Sequence, residues 1–423
     1  MGGGAADDVI VVGGGIGGLT LALMLHDRGI DARVYEAAPA IEPIGVGISL
    51  LPHASKELGL LGLVDALGEV AVTTKESCFF NRFGQFVYSE PAGRYAGYEW
   101  PQFQVHRGDL QQVLYRAYLD RVPDGAERLL TGHRCTGTRS DARSATASFV
   151  DSATGHPLPP ATGSAVIGCD GIGSVVRRQF FPDEGPPVYS GVNMWRGTTV
   201  WEPFLSGSTY LRAGWLTVGK MVIYPVRHDV DGRGRQLVNW VAEVQTDRYN
   251  TQDWNRVGDL ADFHHVFADW TFDWLDVAGL IGGAEQILEY PMVDRDPLPR
   301  WTHGRVTLLG DAAHPMYPRG SNGAGQAILD ARALADCLDS HRSVPEALQT
   351  YEEQRLAATS AVVHASRNAP PDVILKMVHE RTGDRPFGRI EDVITAAEMA
   401  ALSNSYKRVA GYDRETLARG TRP

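Results

Sequence analysis

In this 423-residue chain the residues best suited to chemistry are a few glycines and acids at fixed intervals. Gly13-x-Gly15-x-x-Gly18 follows the apolar run Val9-Ile10-Val11-Val12, and Glu36 stands 18 residues beyond Gly18. In that spacing Gly13 permits a tight turn, Gly15 lets a pyrophosphate approach the backbone, and Gly18 allows a helix to pack closely on a sheet. A phosphate there meets the unpaired N–H groups and the positive end of the helix, roughly half a unit charge. Glu36 can accept hydrogen bonds from ribose hydroxyls, whereas a 2′-phosphate would meet like charge. The pattern points to the ADP half of a dinucleotide. A second acid, Asp311, follows the apolar run Val306-Thr307-Leu308-Leu309 and Gly310, at the strand end where open α/β sheets bind ligands. Asp311 can hold polyol hydroxyls, and Gly320, Gly323 and Gly325 let a flat ring lie against backbone at the next helix start. An anion developing there gains roughly 0.3–1 kcal/mol, up to about 2 when partly buried. On residue types alone, the same stretch also reads as an ordinary helix start built of turn residues.

The elements that position these residues follow from periodicity. A buried strand, the glycine turn, a helix carrying Leu19, Leu21, Ala22 and Leu25, a stop at Gly29 and a second strand form a βαβ unit. Beyond it the pattern predicts a helix over 54–67, a hairpin over 76–90 around Gly84, and a helix from His106 through Tyr118. Short β-rich runs over 129–150 precede a loop over 153–164, and a strand over 165–167 leads to Gly168-Cys169-Asp170-Gly171. Aromatic strands are expected over 192–200, 215–224 and 237–244, followed by a helical part over 259–280. A buried strand over 306–309 and a long helix over 323–338 then restore the first texture. The last stretch, with an amphipathic pattern over 390–409, is helical and carries no interpretable motif. The expected organisation is a discontinuous cofactor unit (8–75, 102–185 and 290–370). A substrate unit made of a hairpin (76–101) and a mostly antiparallel insertion (186–289) interrupts it, and a helical tail (371–423) ends the chain.

Composition narrows the function. The net charge of −11 gives no basic excess to neutralise phosphates, so neither nucleic acid nor an anionic membrane surface is expected as a partner. Cys78, Cys135, Cys169 and Cys337 show no CxxC or metal-finger spacing, which fits small core thiols in a reducing compartment and predicts no metal. No run approaches ~20 apolar residues, and no basic segment with an apolar stretch opens the chain. A cytoplasmic protein, monomeric or homodimeric, is expected, with its first seven residues a disordered tail.

Three motifs in order carry a resemblance: the glycine turn ending in Glu36; Gly168-Cys169-Asp170-Gly171-x-x-Ser174-x-x-Arg177; and Gly310-Asp311 before a loop rich in proline and glycine. This triple resembles the single-component FAD-dependent aromatic hydroxylases of the p-hydroxybenzoate hydroxylase type, the class A flavoprotein monooxygenases. Met194-Trp195-Arg196-Gly197, the run 290–299 and the run 314–330 are similar to the phenazine-type members. The fold implied is α/β, a Rossmann-like (GR2-type) FAD-binding domain with an inserted, mostly antiparallel β-sheet substrate domain and C-terminal helices. The resemblance implies that Gly13, Gly15, Gly18 and Glu36 hold the ADP part of FAD, with Ile16, Gly17, Ala37, Gly47 and Ile48 as further cofactor contacts. Arg107, with Gln111 one turn on, matches an arginine near the phosphates and ribityl chain. Asp311 matches the acid that binds the ribityl hydroxyls. Gly323, Ala324 and Gly325 match the helix start whose amides face the pyrimidine edge of the flavin. Asp170 and Gly171 match a motif that supports FAD and is linked to the reduced nicotinamide. Two departures stand out. Many relatives have Asn at the position of Gly325, and Val46-Gly47-Ile48 replaces an arginine-bearing segment of the p-hydroxybenzoate enzyme.

The implied chemistry is hydroxylation of an aromatic or polycyclic, phenazine-like molecule. Only one dinucleotide fold is visible, so NADH or NADPH binds transiently and passes hydride to FAD. Oxygen then reacts as a flavin hydroperoxide, which a water-excluding pocket protects. Pro318, whose backbone lies beside the reacting flavin carbon, Tyr224 and Arg196 are the catalytic candidates. Trp195, Tyr224, Trp240, Met316 and Tyr317 are the substrate-binding candidates, although aromatics at strand spacing also suit a core. Arg196 can pair with a substrate carboxylate or satisfy a buried acid. Alternatives are epoxidation, Baeyer–Villiger insertion, or flavin binding without catalysis. A dehydrogenase or disulfide reductase would need a redox cysteine pair and a second glycine fingerprint, and the sequence has neither.

Overall fold

The run Val9–Val12 (β1) is buried at every residue in the computed structural model, which describes residues 8–247 and 256–419. The amino-terminal tail expected from the sequence lies outside those residues. Along the chain follow α1 (Ile16–His26), β2 (Ala32–Tyr35), β3 (Gly47–Leu50), α2 (Pro52–Leu60), the hairpin β4 (Glu76–Phe80) and β5 (Phe86–Pro91), and α3 (Arg107–Arg121). Next come β6 (Ala165–Gly168), α4 (Val175–Phe180), β7 (Val188–Trp201), β8 (Thr209–Gly214), β9 (Lys220–Arg227), β10 (Gln236–Gln245) and β11 (Ile287–Asp294). The frame closes with β12 (Val306–Leu308), α5 (Gly323–Ser340), α6 (Val344–Asn368) and α7 (Ala396–Val409).

A strand apolar on both faces needs cover on both. β1 receives it at the centre of a five-stranded parallel sheet ordered β12-β6-β1-β2 and Leu129–Leu130, under α1, α5 and α3. The register pairs Val12 with Gly168 and Tyr35, and Gly168 with Leu308. Four neighbouring strands therefore end level, and the residues just beyond them, Gly13, Glu36, Asp170 and Asp311, share one edge of the sheet.

The second sheet has seven strands, ordered β11-β7-β10-β9-β8-β4-β5, antiparallel except for the β8–β4 pair. Period-two alternation gives it two apolar faces. Leu211, Ile223, Trp195 and Trp240 pack on Phe263, Phe267 and Trp270 on one side. Met194, Tyr210, Tyr224, Tyr290 and Met292 meet Val46 and Tyr317 of the cofactor side on the other.

Several expected elements differ. The helix predicted over 54–67 is broken, because Gly62 takes a left-handed conformation (φ +70°) after α2 and a separate helix, Val64–Val70, follows. The loop expected over 153–164 contains a strand, Pro157–Gly163, on the edge of a three-stranded sheet, where its prolines lose no ladder hydrogen bond. The strand expected over 215–224 begins only at Lys220, after Gly219 turns the chain at φ +91°, while β8 was not anticipated. The helical part over 259–280 consists of Leu260–Phe263, a short hairpin and Val277–Gly282, each turned to bury aromatic rings on the sheet. In the tail, a helix spans Val373–Thr382, and the pattern over 390–409 becomes an α-helix only at α7, behind a capping box of Thr395 and Glu398. No helix among the described residues is long and apolar enough to cross a membrane.

A buried charge cluster ties the tail to the second sheet. Lys220 lies 2.9 Å from Glu243 and 2.6 Å from Asp372, and Arg212 lies 3.1 Å from Asp372. Burial alone would lower the Lys220 pKa, but the two carboxylates hold it above its ordinary value. Removing one partner of such a cluster strands charge in the interior. We expect Lys220→Met to destabilise the protein by about 3–5 kcal/mol in urea unfolding. A change within about 0.5 kcal/mol, the range of an ordinary surface substitution, would contradict this.

Candidate functional site

The glycine turn is shaped by what a side chain would strike. A Cβ on Gly13 (φ +108°) would lie 2.4 Å from the Cys169 carbonyl oxygen, and one on Gly18 would lie 1.9 Å from that of Gly13. One on Gly17 would meet Leu309 at 2.9 Å, whereas nothing lies within 4 Å of the Cβ position at Gly15. Three glycines thus let strands and helix approach, and the fourth faces open space at the amino end of α1. Leu19 donates the first helical bond, to Gly15, so the amides of Ile16, Gly17 and Gly18 have no acceptor among the described residues. Glu36 accepts from the Gly14 amide at 2.6 Å and from the Ala38 amide at 2.7 Å, and Gln111 donates to the Gly14 carbonyl at 2.9 Å. The turn is gripped from both sides, and a carboxylate has lone pairs left for ribose hydroxyls. Ala37, next to Glu36, is exposed, and its carbonyl accepts from Ser152.

Asp311 lies across the sheet edge. It is exposed, its carboxylate has no hydrogen-bond partner among the described residues, and Oδ1 is 3.8 Å from the Cβ position of Gly323. Burial behind it raises its pKa, while His314 and Arg107 pull the other way. Arg107 is exposed at the start of α3. Behind Asp311, Asp330 accepts from His314 at 2.5 Å, Arg355 at 2.7 Å and the Gly310 amide at 3.1 Å. Burial would raise the Asp330 pKa, but His314 and Arg355 hold it down at about 2. His314 is thereby engaged in fixing the turn.

Asp170 spends its carboxylate on α4, accepting from Ser174 at 2.5 Å and from the amide of Val175 at 2.8 Å, while Gly171 (φ +71°) turns the chain. Two residues on, Arg177 donates to the carbonyls of Ala312 and Ala313 at 3.2 and 2.7 Å. The Asp-Gly motif is thus built into the scaffold that holds Asp311.

At the start of α5, the amides of Gly323, Ala324 and Gly325 have no acceptor among the described residues, since Gln326 is the first to bond back. Pro318 opens a one-turn 3-10 segment before it, and Ser321 adopts φ +56°. A Cβ on Gly325 would lie 3.0 Å from the His53 ring. His53 is 1% exposed, and burial lowers its pKa to about 4. It therefore fills the space that a side chain at position 325 would need.

On the sheet face toward this turn, Arg196 donates to the Gly47 carbonyl at 2.7 Å and Asn239 accepts from the Gly47 amide at 2.7 Å. A Cβ on Gly47 would come within 2.7 Å of both Asn239 and Tyr224, so the glycine is what lets the edge of β3 dock; Ile48 beside it is half-buried. Tyr224 stacks on Tyr210 with centroids 5.0 Å apart, and the Tyr210 hydroxyl lies 3.0 Å from that of Ser321. Burial keeps the Tyr224 hydroxyl protonated. Arg212, Ser77, Ser49 and Tyr412 continue this wall into a narrow cleft.

Three substrate candidates fall elsewhere, two of them tryptophans. Trp195 stacks on Phe263 at 4.9 Å, and Trp240 donates to Thr199 at 3.1 Å, both on the far face of the sheet. Adjacent strand residues point to opposite faces, so Trp195 and Arg196 cannot share a pocket. Likewise Trp240 pairs with Ile223, while Tyr224 pairs with Asn239. Met316 packs with Leu51, Tyr406 and Tyr412 at the tail, whereas Tyr317 joins the near face. Sequence reasoning missed Tyr210, Arg212, Asn239 and His53. The alternation Tyr210-x-Arg212 was a legible strand signal; nothing local marked His53.

Comparison with known proteins accords with this geometry. The profile of the FAD binding domain family matches residues 6–189 and 290–366. Phenazine 1,6-dicarboxylic acid hydroxylase PhzS of Lysobacter antibioticus is 39% identical over 413 residues, 95% of this chain and 97% of that protein. A 3-amino-4-hydroxybenzoate 2-monooxygenase of Streptomyces cremeus is 32% identical over 411 residues, 95% of each. Two solved structures share the fold: a salicylate hydroxylase substrate complex (TM-score 0.72, 24% identity, 98% of both chains) and Klebsiella pneumoniae HpxO complexed with FAD and uric acid (TM-score 0.72, 23% identity, 98% and 95%).

The fit to FAD rests on the open Gly15 position, the unpartnered Asp311 carboxylate and the free amides of α1 and α5. We expect Asp311→Ala to weaken FAD binding by about tenfold or more, the loss of hydrogen bonds to a charged acceptor. Equilibrium dialysis of the apoprotein checks this, and unchanged affinity would contradict it. His53 supplies a pH dependence. Its folded pKa lies below its unfolded value of about 6.5, so its contribution to stability is complete above that value and is lost as pH falls toward 4. Between about pH 6.5 and 4 the wild type should lose on the order of 3 kcal/mol relative to His53→Asn. Parallel unfolding curves with pH would refute the assignment.

Proposed function

The chain belongs to the FAD binding domain family and is a flavin-dependent monooxygenase; we propose that it hydroxylates a planar aromatic or polycyclic molecule of the phenazine type, with NADH or NADPH and O2 as co-substrates. The observation that carries the substrate class is the near face of the second sheet. Tyr210, Tyr224, Tyr290, Met194 and Met292 form a buried layer of flat and polarisable side chains with Tyr317, beside the turn at Pro318–Gly320. The match to a phenazine dicarboxylate hydroxylase over nearly the whole chain supports the same class. When bound, FAD supplies hydride acceptance and oxygen activation, and the protein supplies position, electrostatics and dryness.

The residues divide the work. The free amides of α1 and the Glu36 carboxylate would hold the adenylate end of FAD, and Asp311 would hold the ribityl hydroxyls. The free amides of α5 would supply positive partial charge toward the pyrimidine edge of the flavin. Gly47, clamped between Arg196 and Asn239, fixes the distance between sheet and cofactor turn. Tyr224 and Arg196 stand where a substrate ring enters. The buried Nε of Arg196 has no hydrogen-bond partner among the described residues, which suits it to a substrate oxygen. Tyr317 and the backbone of Pro318 close the reacting side.

Phenazine carboxylates, hydroxybenzoates and polycyclic phenols should be screened for substrate-stimulated NADH and NADPH oxidation with oxygen uptake. We expect a planar polycycle to give stoichiometric turnover, with one labelled oxygen atom from ¹⁸O2 on a ring carbon. Label in a ring-expanded ester or an epoxide would replace hydroxylation with the alternative chemistry. Reduced-nucleotide oxidation that yields only hydrogen peroxide with every compound would overturn the proposal.

A further inference from the structure

The family profile ends at residue 366, and the tail beyond it carries no motif, yet the tail reaches the turn before α5. Asn322 occupies the N-cap position of α5, and Asn is among the strongest N-cap residues because its side-chain oxygen normally takes the amide of the second or third helical residue. Here it makes no such bond, and its backbone is held in the αR region (φ −108°, ψ −17°) instead of the extended conformation in which a cap forms. Its Nδ2 donates to the Gly320 carbonyl at 3.0 Å and to the Tyr406 hydroxyl at 3.1 Å, while its Oδ1 faces His53 Nε2 at 3.0 Å and accepts from Gln326 Nε2 at 3.4 Å. The carbonyl partner orients the amide, so His53 carries its proton on Nε2 and donates. Tyr406 accepts from Asn322 and lies 3.3 Å from the Ser366 hydroxyl. Its own hydroxyl oxygen rests against Gly320, 1.5 Å from where a Cβ would stand, and Gln326 donates to Ala410 at 3.1 Å. His53, Asn322 and Tyr406 are each no more than 2% exposed.

We propose that Tyr406, with His53, is a positioning residue that holds the Asn322 side chain off the cap of α5, so that the amides of Ala324 and Gly325 remain for the pyrimidine edge of FAD. A capping Asn322 would satisfy one of those amides internally and compete with the cofactor for it. The proposal rests on the FAD reading and extends it by giving the tail a part in cofactor binding through Asn322.

The test is FAD titration into apoprotein, followed by quenching of flavin fluorescence, with the unfolding midpoint of each apoprotein recorded alongside. Tyr406→Phe keeps the ring against Gly320 and removes only the hydroxyl. It should weaken FAD binding about fivefold, the worth of a cap, without lowering the apoprotein midpoint. On an Asn322→Ala background, which has no side chain to cap with, the same change should alter the affinity by less than about twofold. His53→Leu, which removes the nearer of the two donors to Oδ1 and leaves only the longer bond from Gln326, should behave in the same way as Tyr406→Phe on both backgrounds. An unchanged affinity in Tyr406→Phe would overturn the proposal, as would an equal loss on the Asn322→Ala background, since simple packing predicts additivity. Failure of the wild-type apoprotein to take up FAD would instead remove the reading on which it rests.

Discussion

Two helix starts keep their first amides without an acceptor among the described residues, and the rest of the site is arranged around that constraint. Buried N–H groups without acceptors are costly, and folded proteins almost always pair them. Here Gly15 at α1 and the Asn322–Gly325 turn at α5 leave them open on one edge of a parallel sheet, where a cofactor can supply the acceptors. The arrangement persists because neighbouring groups are otherwise engaged. Glu36 and Gln111 hold the backbone of the first turn, and Asp330 and Arg177 hold the second from behind. The acid that faces the cleft, Asp311, is left free by its surroundings.

The second sheet is the other half of the site, and its alternation separates two tasks. One face buries tryptophan and phenylalanine against short helical pieces. The other presents tyrosines and methionines to the cofactor turn. The join between the units passes through a glycine, because at Gly47 the backbone must approach Asn239 and Tyr224 more closely than any Cβ allows. Charge reinforces the join at the tail, where Asp372 meets Lys220 and Arg212 in the interior. Those ions are held by mutual pairing, which makes the cluster sensitive to loss of one member.

Local pattern was a good guide wherever backbone geometry or burial on both faces dictates residue type. The strand at Val9–Val12, the glycine turn, Glu36 and the strand before Asp311 could be read because each has a short-range cause. The pattern failed where a residue's role depends on its partner across space. Proline-rich Pro157–Gly163 reads as loop, since an edge position that tolerates proline is invisible along the chain. Residues 259–280 read as helix because the rings that break them into pieces are buried by a sheet distant in sequence. Trp195 and Trp240 read as pocket residues because aromatic content signals a face but not which face.

The sequence by itself therefore determined the cofactor class and the residues at the ends of the strands, since turn geometry and phosphate approach admit few residue types at those positions. It also determined that a second, aromatic sheet would complete the site. Tertiary structure alone decided which side chains of that sheet look toward the cofactor, because strand register fixes facing and register is set between segments. It alone decided that Gly47 is clamped by Arg196 and Asn239 and that Tyr406 stands beside Asn322. Those contacts join residues far apart in the chain, and side chains that meet only after folding leave no periodic trace in the order of the residues.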